Sequence, residues 1–378
     1  MSRKVIIIGS AYPLRGGLSN FNERLADEFL KDGWDTELYT FSLQYPSFLF
    51  PGKTQYTTEK YTGKTPIKIK INSINPLNWI KVGNELRKLK PTLIIIKFWI
   101  PFMAPCFGSI ARIVKRNHVT RIITIIDNII PHESRIGDKL LAKYFAKSID
   151  GFVTMSRKVL DDISQFDKVK PRIFSPHPIY DNFGNSVSKE EALKLLNLDK
   201  AYNYILFFGF IRDYKGLDIL LNAMDDVRIR EKKIRLIVAG EFYTDSSPYF
   251  DLIKSRKIED LIFMSNNFIP DSEVYKYFCA SDIVVQPYKS ATQSGVTQIA
   301  YNFNKPMIIT RVGGLEEFVP NNEVGYVVNP DSHEVTDAIL QFYENNKEKE
   351  FVHNVTLLKE KYSWNHFLNN LKSLFNLE

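Results

Sequence analysis

The chain is poor in cysteine and has no long uninterrupted hydrophobic segment. Its 378 residues include only two cysteines, Cys106 and Cys279, which excludes a disulfide framework or a thiolate zinc site and fits a reducing cytoplasm. The longest apolar stretch, residues 92–111, is interrupted by Lys97 and by two prolines, so we interpret it as a strand, a loop and the start of a helix rather than a membrane span. The N-terminal run at residues 5–8 is too short for a secretory signal and predicts a buried first strand.

The overall composition is that of a globular protein. Hydrophobic residues make up 44% of the chain, aromatic residues 13% and charged residues 25%, values that exclude a disordered or collagen-like chain. The length exceeds that of a usual single domain, so we expect two packed domains. Short apolar runs alternate with helix-period segments throughout, which predicts an α/β fold with parallel sheets. The strands are predicted at residues 5–8, 36–40, 67–71, 93–97, 121–126 and 151–155, and then at 205–208, 234–239, 261–264, 283–286, 307–310 and 325–328.

Residues 176–203 are rich in Pro, Asn and Ser, and the alternation of strands and helices restarts after them. We therefore expect the domain boundary in this segment. Two doubly wound sheets facing each other predict an interdomain cleft, with ligands bound beyond the carboxyl ends of the strands. His177 and Tyr180 lie at this linker, and we interpret them first as packing residues and second as ligand contacts.

Positive charge is concentrated in one part of the sequence. The chain carries a formal net charge of +7, and residues 53–90 contain nine lysines and arginines against two glutamates. Together with Tyr56, Tyr61 and Trp79, this segment predicts contact with an anionic membrane surface or, as the alternative, a solvated amphipathic face. No motif for nucleic acid binding accompanies the charge, so we expect no nucleic acid partner.

The first turn between strand and helix does not have the pattern of a nicotinamide site. Residues 9–21 lack the G-x-G-x-x-G spacing, and no acidic residue closes the second predicted strand, which disfavours a dehydrogenase. Gly16 and Gly17 immediately precede a helix, where backbone N–H groups approach an anion closely. A purely structural Gly-Gly turn is the alternative interpretation.

Two cations follow the first strand of the second half. Arg212 and Lys215 stand on a short loop after the strand at residues 205–208, so both side chains are expected over the strand end. Such a pair suits a diphosphate, because each charge-assisted hydrogen bond contributes roughly 1.5–3 kcal/mol. Two solvated loop cations are the alternative. Farther along, residues 292–295 lead into an apolar helix whose free N–H groups would form a phosphate site.

Asp127 is the leading catalytic candidate of the first half. It directly follows the apolar run at residues 121–126, at the carboxyl end of a predicted strand, where active sites of doubly wound sheets lie. This position ranks it above His132 and Glu133, which follow a few residues later. A structural capping role is the alternative for these loop residues.

A series of motifs in fixed order carries a family resemblance over almost the whole chain. The motifs are RGG at 15–17, FGFIRDYKGLDILLNA at 208–223, LIVAGE at 236–241, NFIPDSEV at 267–274, ASDIVVQPY at 280–288, SGV at 294–296, KPMIITRVGGLEE at 305–317, GYVV at 325–328 and YSWNHF at 362–367. In these motifs the chain resembles the retaining glycosyltransferases of family 4, also called glycosyl transferases group 1. That resemblance implies the GT-B architecture, with two Rossmann-like domains facing a cleft.

The resemblance also implies the roles of the domains. Residues 1–182 would form an N-terminal acceptor-binding domain, and residues 183–360 a C-terminal domain that binds a nucleotide-sugar. Residues 361–378 would form a helix that packs back on the N-terminal domain.

The implied activity is transfer of a hexose from a nucleotide-diphosphate sugar to an acceptor hydroxyl, with retention and without a metal or other cofactor. By the resemblance, Arg212 and Lys215 neutralise the leaving diphosphate. The family often has a catalytic-site histidine in the loop after the fourth or fifth strand, and in this chain that place is taken by Asp127, the third catalytic residue we expect. His132 and Glu133 are the acceptor-side candidates. The residues implied to bind the donor are Gly16, Gly17, Gly209, Glu241, Asn267, Phe268, Ile269, Ser294, Gly295, Val296 and Gln298.

One departure from the family pattern concerns acidic residues. The family usually places two glutamates eight positions apart around the SGV motif, and this stretch has no carboxylate, so Gln298 is the substitute we expect at the ribose. Two alternatives therefore stay open. One is a nucleotide-sugar epimerase of the same architecture, although it would need carboxylates in this region, and the other is a catalytically silent sugar- or nucleotide-binding subunit.

The expected partners follow from the resemblance and the charge pattern. They are a nucleotide-sugar donor and a glycan or lipid-linked glycan acceptor of surface polysaccharide or glycolipid biosynthesis. We expect a cytoplasmic protein, with peripheral contact to the inner face of the membrane through residues 53–90.

Overall fold

The chain folds into two compact units, each with its own parallel sheet. A computed structural model describes residues 3–46, 54–57, 60–131, 135–291 and 294–376. Unit 1 comprises Met1–Pro178 and Ser363–Glu378, and unit 2 comprises Ile179–Tyr362. All strand pairs are parallel, in one sheet of seven strands and one of six, so the predicted α/β class with two doubly wound sheets is confirmed.

Unit 1 contains the seven-stranded sheet, in the order β3-β2-β1-β4-β5-β6-β7. Its elements are β1 (Lys4–Ile8), α1 (Gly17–Lys31), β2 (Asp35–Leu43), β3 (Ile67–Asn72), α2 (Pro76–Leu89), β4 (Leu93–Phe98), α3 (Ala104–Lys115), β5 (Arg121–Ile126), α4 (Asp138–Ala146), β6 (Gly151–Thr154), α5 (Arg157–Ile163) and β7 (Arg172–Phe174).

Unit 2 contains the six-stranded sheet, in the order β10-β9-β8-β11-β12-β13. Its elements are α6 (Lys189–Leu195), β8 (Asn203–Phe208), α7 (Leu217–Ala223), α8 (Val227–Glu231), β9 (Ile234–Ala239), α9 (Ser247–Ser255), β10 (Ile262–Ser265), α10 (Val274–Ala280), β11 (Ile283–Gln286), α11 (Gly295–Asn302), β12 (Met307–Thr310), β13 (Gly325–Val328), α12 (Ser332–Glu344) and α13 (Glu348–Leu358).

The last helix, α14 (Trp364–Ser373), belongs to unit 1. It packs on α1, where the Phe21 ring lies 5.3 Å from that of Trp364 and 5.7 Å from that of Phe367. Helices α2, α3 and α4 contribute to the core on the other side of the same sheet. Because both faces are covered, the central strands read as continuous apolar runs instead of alternating ones.

Two elements differ from the prediction. Strand β7 was not predicted, because it is three residues long, half-buried and at the sheet edge, and so it has no apolar run. The segment interpreted as a linker contains α6, which begins after Ser188, whose hydroxyl accepts a hydrogen bond from the Glu191 N–H. This helix packs on α10, so part of that segment is ordered structure of unit 2.

The apolar stretch at residues 92–111 is divided as predicted. It forms β4, a short turn at Pro101–Met103 and the first part of α3. Among the described residues, no helix combines the length and the apolar character needed to cross a membrane.

The buried His177 predicts an acid sensitivity of unit 1. Its ring packs edge-on to Phe21 at 5.2 Å, and its Nδ1 lies 2.6 Å from the Pro178 carbonyl oxygen, which accepts a hydrogen bond from the neutral ring. Burial, with the positive charge of Lys97, lowers the pKa of His177 from 6.5 to about 3. The unfolded chain therefore binds a proton below pH 6.5 that the folded chain does not bind.

We expect the free energy of unfolding to fall with pH below about 6.5, with His177 contributing up to about 1.4 kcal/mol per pH unit. In His177→Phe this contribution is absent, so stability falls less steeply between pH 6 and pH 4.5. Urea unfolding followed by tryptophan fluorescence measures it, because all four tryptophans lie in unit 1. Equal slopes for the two proteins would show that His177 is not the titrating group.

Candidate functional site

In unit 2, three separate segments meet at the carboxyl end of β8. Gly209 follows this strand with a φ of +98°, and a Cβ atom there would lie 3.0 Å from the Lys215 Nζ and 3.6 Å from a methyl group of Val296. The Lys215 ammonium group therefore lies directly over the strand end and close to the N-terminus of α11. Three residues predicted to act on the donor, Gly209, Lys215 and Val296, are thus neighbours.

The backbone of the loop that carries Arg212 and Lys215 is constrained by a turn, a close packing contact and two ion pairs. Asp213–Lys215 forms a 3₁₀ turn, and Gly216 follows with a φ of +69° so close to the Pro287 carbonyl oxygen that a Cβ atom would clash with it. Lys289 holds the loop from outside, with its Nζ 2.7 Å from Asp213 and 3.0 Å from Asp218. These contacts therefore fix the backbone of the loop from which the Lys215 side chain extends.

The two cations of this loop have different surroundings. The Lys215 Nζ lies 5.5 Å from the Tyr288 ring centroid, and the Arg212 guanidinium lies 5.1 Å from that of Tyr243. Burial, together with the positive charge of Arg212, lowers the pKa of Lys215 from 10.5 to about 8. A half-buried ammonium group next to a second cation gains most from an anion that neutralises both.

The N-terminus of α11 contributes backbone groups to the same place. Ser294 precedes the helix but does not cap it; its hydroxyl lies 3.2 Å from the Tyr288 hydroxyl. A Cβ atom at Gly295 would be only 3.0 Å from the Tyr180 ring, so glycine lets the helix begin against that ring. The helix dipole and the N–H groups of a first turn favour an anion here. Thr292 and Gln293 lie outside the described residues.

Gln298 lies in the first turns of α11 and is 1% exposed. Its side-chain carbonyl oxygen accepts no hydrogen bond from any described residue. A buried acceptor without a donor is costly, and a ligand hydroxyl group would satisfy it. The observation is consistent with the predicted ribose contact, which stays a prediction.

The loops after β8 and β9 are joined by backbone hydrogen bonds. The Ile211 N–H donates to the Glu241 carbonyl oxygen at 2.8 Å, and the Tyr243 N–H donates to the Ile211 carbonyl oxygen at 2.9 Å. This arrangement brings the buried Glu241, a predicted donor residue, to the same edge of the sheet as Arg212.

An aromatic cluster borders this edge. The ring of Phe210 lies 4.3 Å from that of Tyr243 and 6.2 Å from that of Phe268, which belongs to the predicted segment Asn267, Phe268 and Ile269. Sequence reasoning missed Phe210 and Tyr243. The signal available was an aromatic residue directly after the glycine that ends a buried strand.

In unit 1, Asp127 forms an ion pair that the sequence prediction did not include. Its Oδ1 accepts a hydrogen bond from the Lys97 Nζ at 2.7 Å, and that nitrogen lies 3.8 Å from the centroid of the Phe21 ring. Lys97 is 1% exposed, and burial lowers its pKa while the Asp127 carboxylate raises it. A lysine inside a buried strand requires a carboxylate nearby, and this was the signal available in the sequence.

The other predicted residues of unit 1 are described only in part. Gly16 precedes α1 with a φ of +102°, a conformation that favours glycine, and Gly17 is the first residue of that helix. His132 and Glu133 lie outside the described residues. In the described ranges no group of three His, Cys, Asp or Glu side chains is arranged to hold a metal ion.

The basic segment at residues 53–90 is partly neutralised. Lys68 lies 2.6 Å from Glu37, and Lys70 lies 2.6 Å from Glu85. Two lysines of the proposed membrane contact are therefore paired within unit 1. Lys53 lies outside the described residues.

Comparison with known proteins identifies similar chains. Residues 202–345 match the family described as Glycosyl transferases group 1. An uncharacterized glycosyltransferase of Methanocaldococcus jannaschii is 24% identical over 292 residues, which cover 76% of each chain. The alpha-monoglucosyldiacylglycerol synthase of Streptococcus pneumoniae is 28% identical over 54% of this chain and 46% of its own length.

Solved structures resemble the whole chain. Anabaena HepE in complex with UDP-glucose superimposes with a TM-score of 0.74 and 15% identity, over 99% of this chain and 100% of that one. At that identity the likeness establishes the fold and no more.

We expect the Lys97–Asp127 pair to act as a unit in the stability of unit 1. Lys97→Met removes the ammonium group that pairs with the Asp127 carboxylate, and Asp127→Asn removes the carboxylate that pairs with the buried Lys97. Each substitution should therefore lower the free energy of unfolding by about 3–5 kcal/mol. The double variant should cost less than the sum of the two, by about 1–3 kcal/mol. Urea unfolding followed by tryptophan fluorescence gives all three values. Strictly additive costs would show that the two side chains are not coupled.

Proposed function

The chain resembles the group 1 glycosyltransferases and has the GT-B fold, and from this premise we propose that it transfers a sugar from a nucleotide-diphosphate donor to an acceptor hydroxyl with retention. The comparisons support the coarser statement that it is a glycosyltransferase. The observation that supports a nucleotide-diphosphate donor is the candidate anion site of unit 2, where Gly209, Lys215 and the N-terminus of α11 lie close together.

In this proposal the cations perform the main chemical task. Lys215 and Arg212 neutralise the negative charge that develops on the diphosphate as the bond to the sugar breaks. Fixed cations and helix N–H groups are effective because they need no reorganisation during the reaction. No metal is needed where two cations and a helix N-terminus provide this stabilisation, so we propose a metal-independent transfer of a hexose.

The remaining site residues have supporting roles. Gln298 accepts a hydrogen bond from the nucleotide ribose, and Asn267, Phe268 and Ile269 flank the base. Asp127, held by Lys97, acts on the acceptor side. HepE crystals contain UDP-glucose, which supports a nucleotide-sugar donor for this chain as well.

The acceptor we propose is a glycan or a lipid-linked glycan of surface polysaccharide or glycolipid biosynthesis, used in the cytoplasm at the inner face of the membrane. The similarity to a glucosyldiacylglycerol synthase supports an acceptor at a lipid surface.

The low pKa of Lys215 predicts a pH dependence of nucleotide binding. Above about pH 8 the free side chain loses its charge, so the Kd of the best-bound nucleotide in a panel of UDP, GDP and ADP should rise, by up to about tenfold per pH unit. Lys215→Arg keeps the charge at every pH and should give a flat profile, as should Lys215→Met at weaker affinity. Calorimetric titrations from pH 7 to 9.5 measure these profiles, and a flat profile in the unmodified protein would remove Lys215 from the site.

The activity itself is tested by transfer from a nucleotide-sugar. We expect sugar transfer or slow donor hydrolysis with the nucleotide that binds best, unchanged by EDTA and retaining the anomeric configuration. Arg212→Ala and Lys215→Ala should each lower kcat at least about tenfold, whereas Lys254→Ala, an exposed lysine in α9, should not. Loss of activity with EDTA that magnesium or manganese restores would contradict metal independence. Tight nucleotide binding without any turnover would favour the silent subunit.

A further inference from the structure

Helices α2, α3 and α4 form one continuous layer over the sheet of unit 1. Gly83 of α2 packs so closely on Ile113 of α3 that a Cβ atom would lie 2.9 Å from it. Between α3 and α4, the Arg112 guanidinium stacks on the Tyr144 ring at 3.7 Å, and the Ser109 and Tyr144 hydroxyl groups are 2.9 Å apart. The outer surface of these three helices is therefore one surface, which we call the helical layer.

The helical layer is strongly basic. Residues 76–90, 104–116 and 135–147 together contain eleven lysines and arginines and only two carboxylates. One of those carboxylates, Glu85, is paired with Lys70. Among the described residues, no carboxylate lies within ion-pair distance of the layer's lysines apart from Lys115, which pairs with Asp150. The layer thus presents more positive charge than the net +7 of the whole chain.

The layer also exposes large apolar side chains. Leu77 of α2 is 77% exposed and Leu140 of α4 is 74% exposed, and Ile80 and Ile136 are exposed as well. These residues lie in or just before the first turns of α2 and α4, which begin at the carboxyl edge of the parallel sheet. Asp127 follows β5 at the same edge. The exposed apolar side chains therefore lie at the same edge of the sheet as Asp127, the proposed acceptor-side residue.

We propose that the helical layer docks on a membrane surface containing anionic phospholipid. Its unpaired cations match the headgroup charge, and its exposed leucines and isoleucines can enter the apolar boundary beneath the headgroups. A nucleic acid would meet the cations equally well, but it offers no apolar region for Leu77, Ile136 and Leu140. Charge and apolar exposure together favour lipid.

This surface shares α2 with the predicted contact through residues 53–90, but it extends over α3 and α4 instead of residues 53–75. Lys68 and Lys70 of that segment are paired with glutamates, whereas α3 and α4 supply most of the layer's cations. A lipid-linked acceptor rests on the proposed function; membrane docking does not, because it requires no donor and no turnover.

Flotation with phospholipid vesicles tests the docking. At low ionic strength the protein should bind vesicles of phosphatidylcholine with 30% phosphatidylglycerol and not vesicles of phosphatidylcholine alone. Lys139→Gln/Lys143→Gln should weaken binding about thirty-fold, because each lysine near an anionic surface strengthens binding about fivefold. Leu77→Ser/Leu140→Ser should weaken it at least about tenfold without changing net charge. Raising the salt to 0.15 M should weaken it further, because the Debye length is then only about 8 Å.

Matched controls come from exposed residues of unit 2. Lys200→Gln/Lys254→Gln and Val227→Ser/Leu357→Ser make the same kinds of change and should leave binding intact. Nucleotide affinity, measured on every variant, should be unchanged, so a defect in docking is distinguished from a defect in the donor site. The proposal is wrong if the protein does not bind the anionic vesicles, or if both layer variants bind like the unmodified protein. It is also wrong if a single-stranded oligonucleotide displaces the vesicles and the leucine variant binds normally.

Discussion

The constraint on which the rest of the structure depends is that all strands of each sheet are parallel and central strands are covered on both faces. Such strands are filled with apolar side chains, so chemistry can be placed only at their ends. Parallel direction brings the carboxyl ends together at one edge of each sheet. In unit 2 that edge collects the turn after β8, the loop after β9 and the start of α11, although these segments are far apart in sequence.

The same constraint makes the exceptions informative. Lys97 is a charged residue inside a buried strand, and the fold tolerates it because Asp127, at the end of the neighbouring strand, supplies the opposite charge. Lys215 lies at the edge of the other sheet, and no carboxylate of the described residues forms an ion pair with it. Burial lowers its pKa, and a second cation, Arg212, lowers it further. The protein itself neutralises Lys97, whereas neutralisation of Lys215 by an anionic ligand is part of the proposed function.

The helical layer shows that the charge of a surface depends on how helices pack and which side chains form ion pairs. In the sequence, the basic residues of 53–90 form the most conspicuous cluster, yet part of that cluster is paired within unit 1. The cations of α3 and α4 are dispersed in sequence and become one surface only when the helices pack side by side. Ion pairing depends on distances in space, so net charge counted along the chain does not identify a docking surface.

The sequence alone determined the fold class and nearly all strands, because buried parallel strands leave continuous apolar runs that a short pattern can reveal. It also predicted Gly209, Arg212, Lys215 and Ser294 as one group. The first three follow a predicted strand, Ser294 precedes a predicted helix, and their motifs occur in the order typical of the family that the chain resembles. It missed β7 and α6, whose patterns are too short or too polar to stand out. The tertiary structure alone decided which residues meet: Lys97 with Asp127, Phe210 with Tyr243, and Gly209 with both Lys215 and Val296. These contacts join residues from different strands and helices, and only the folded sheet sets the distances between them.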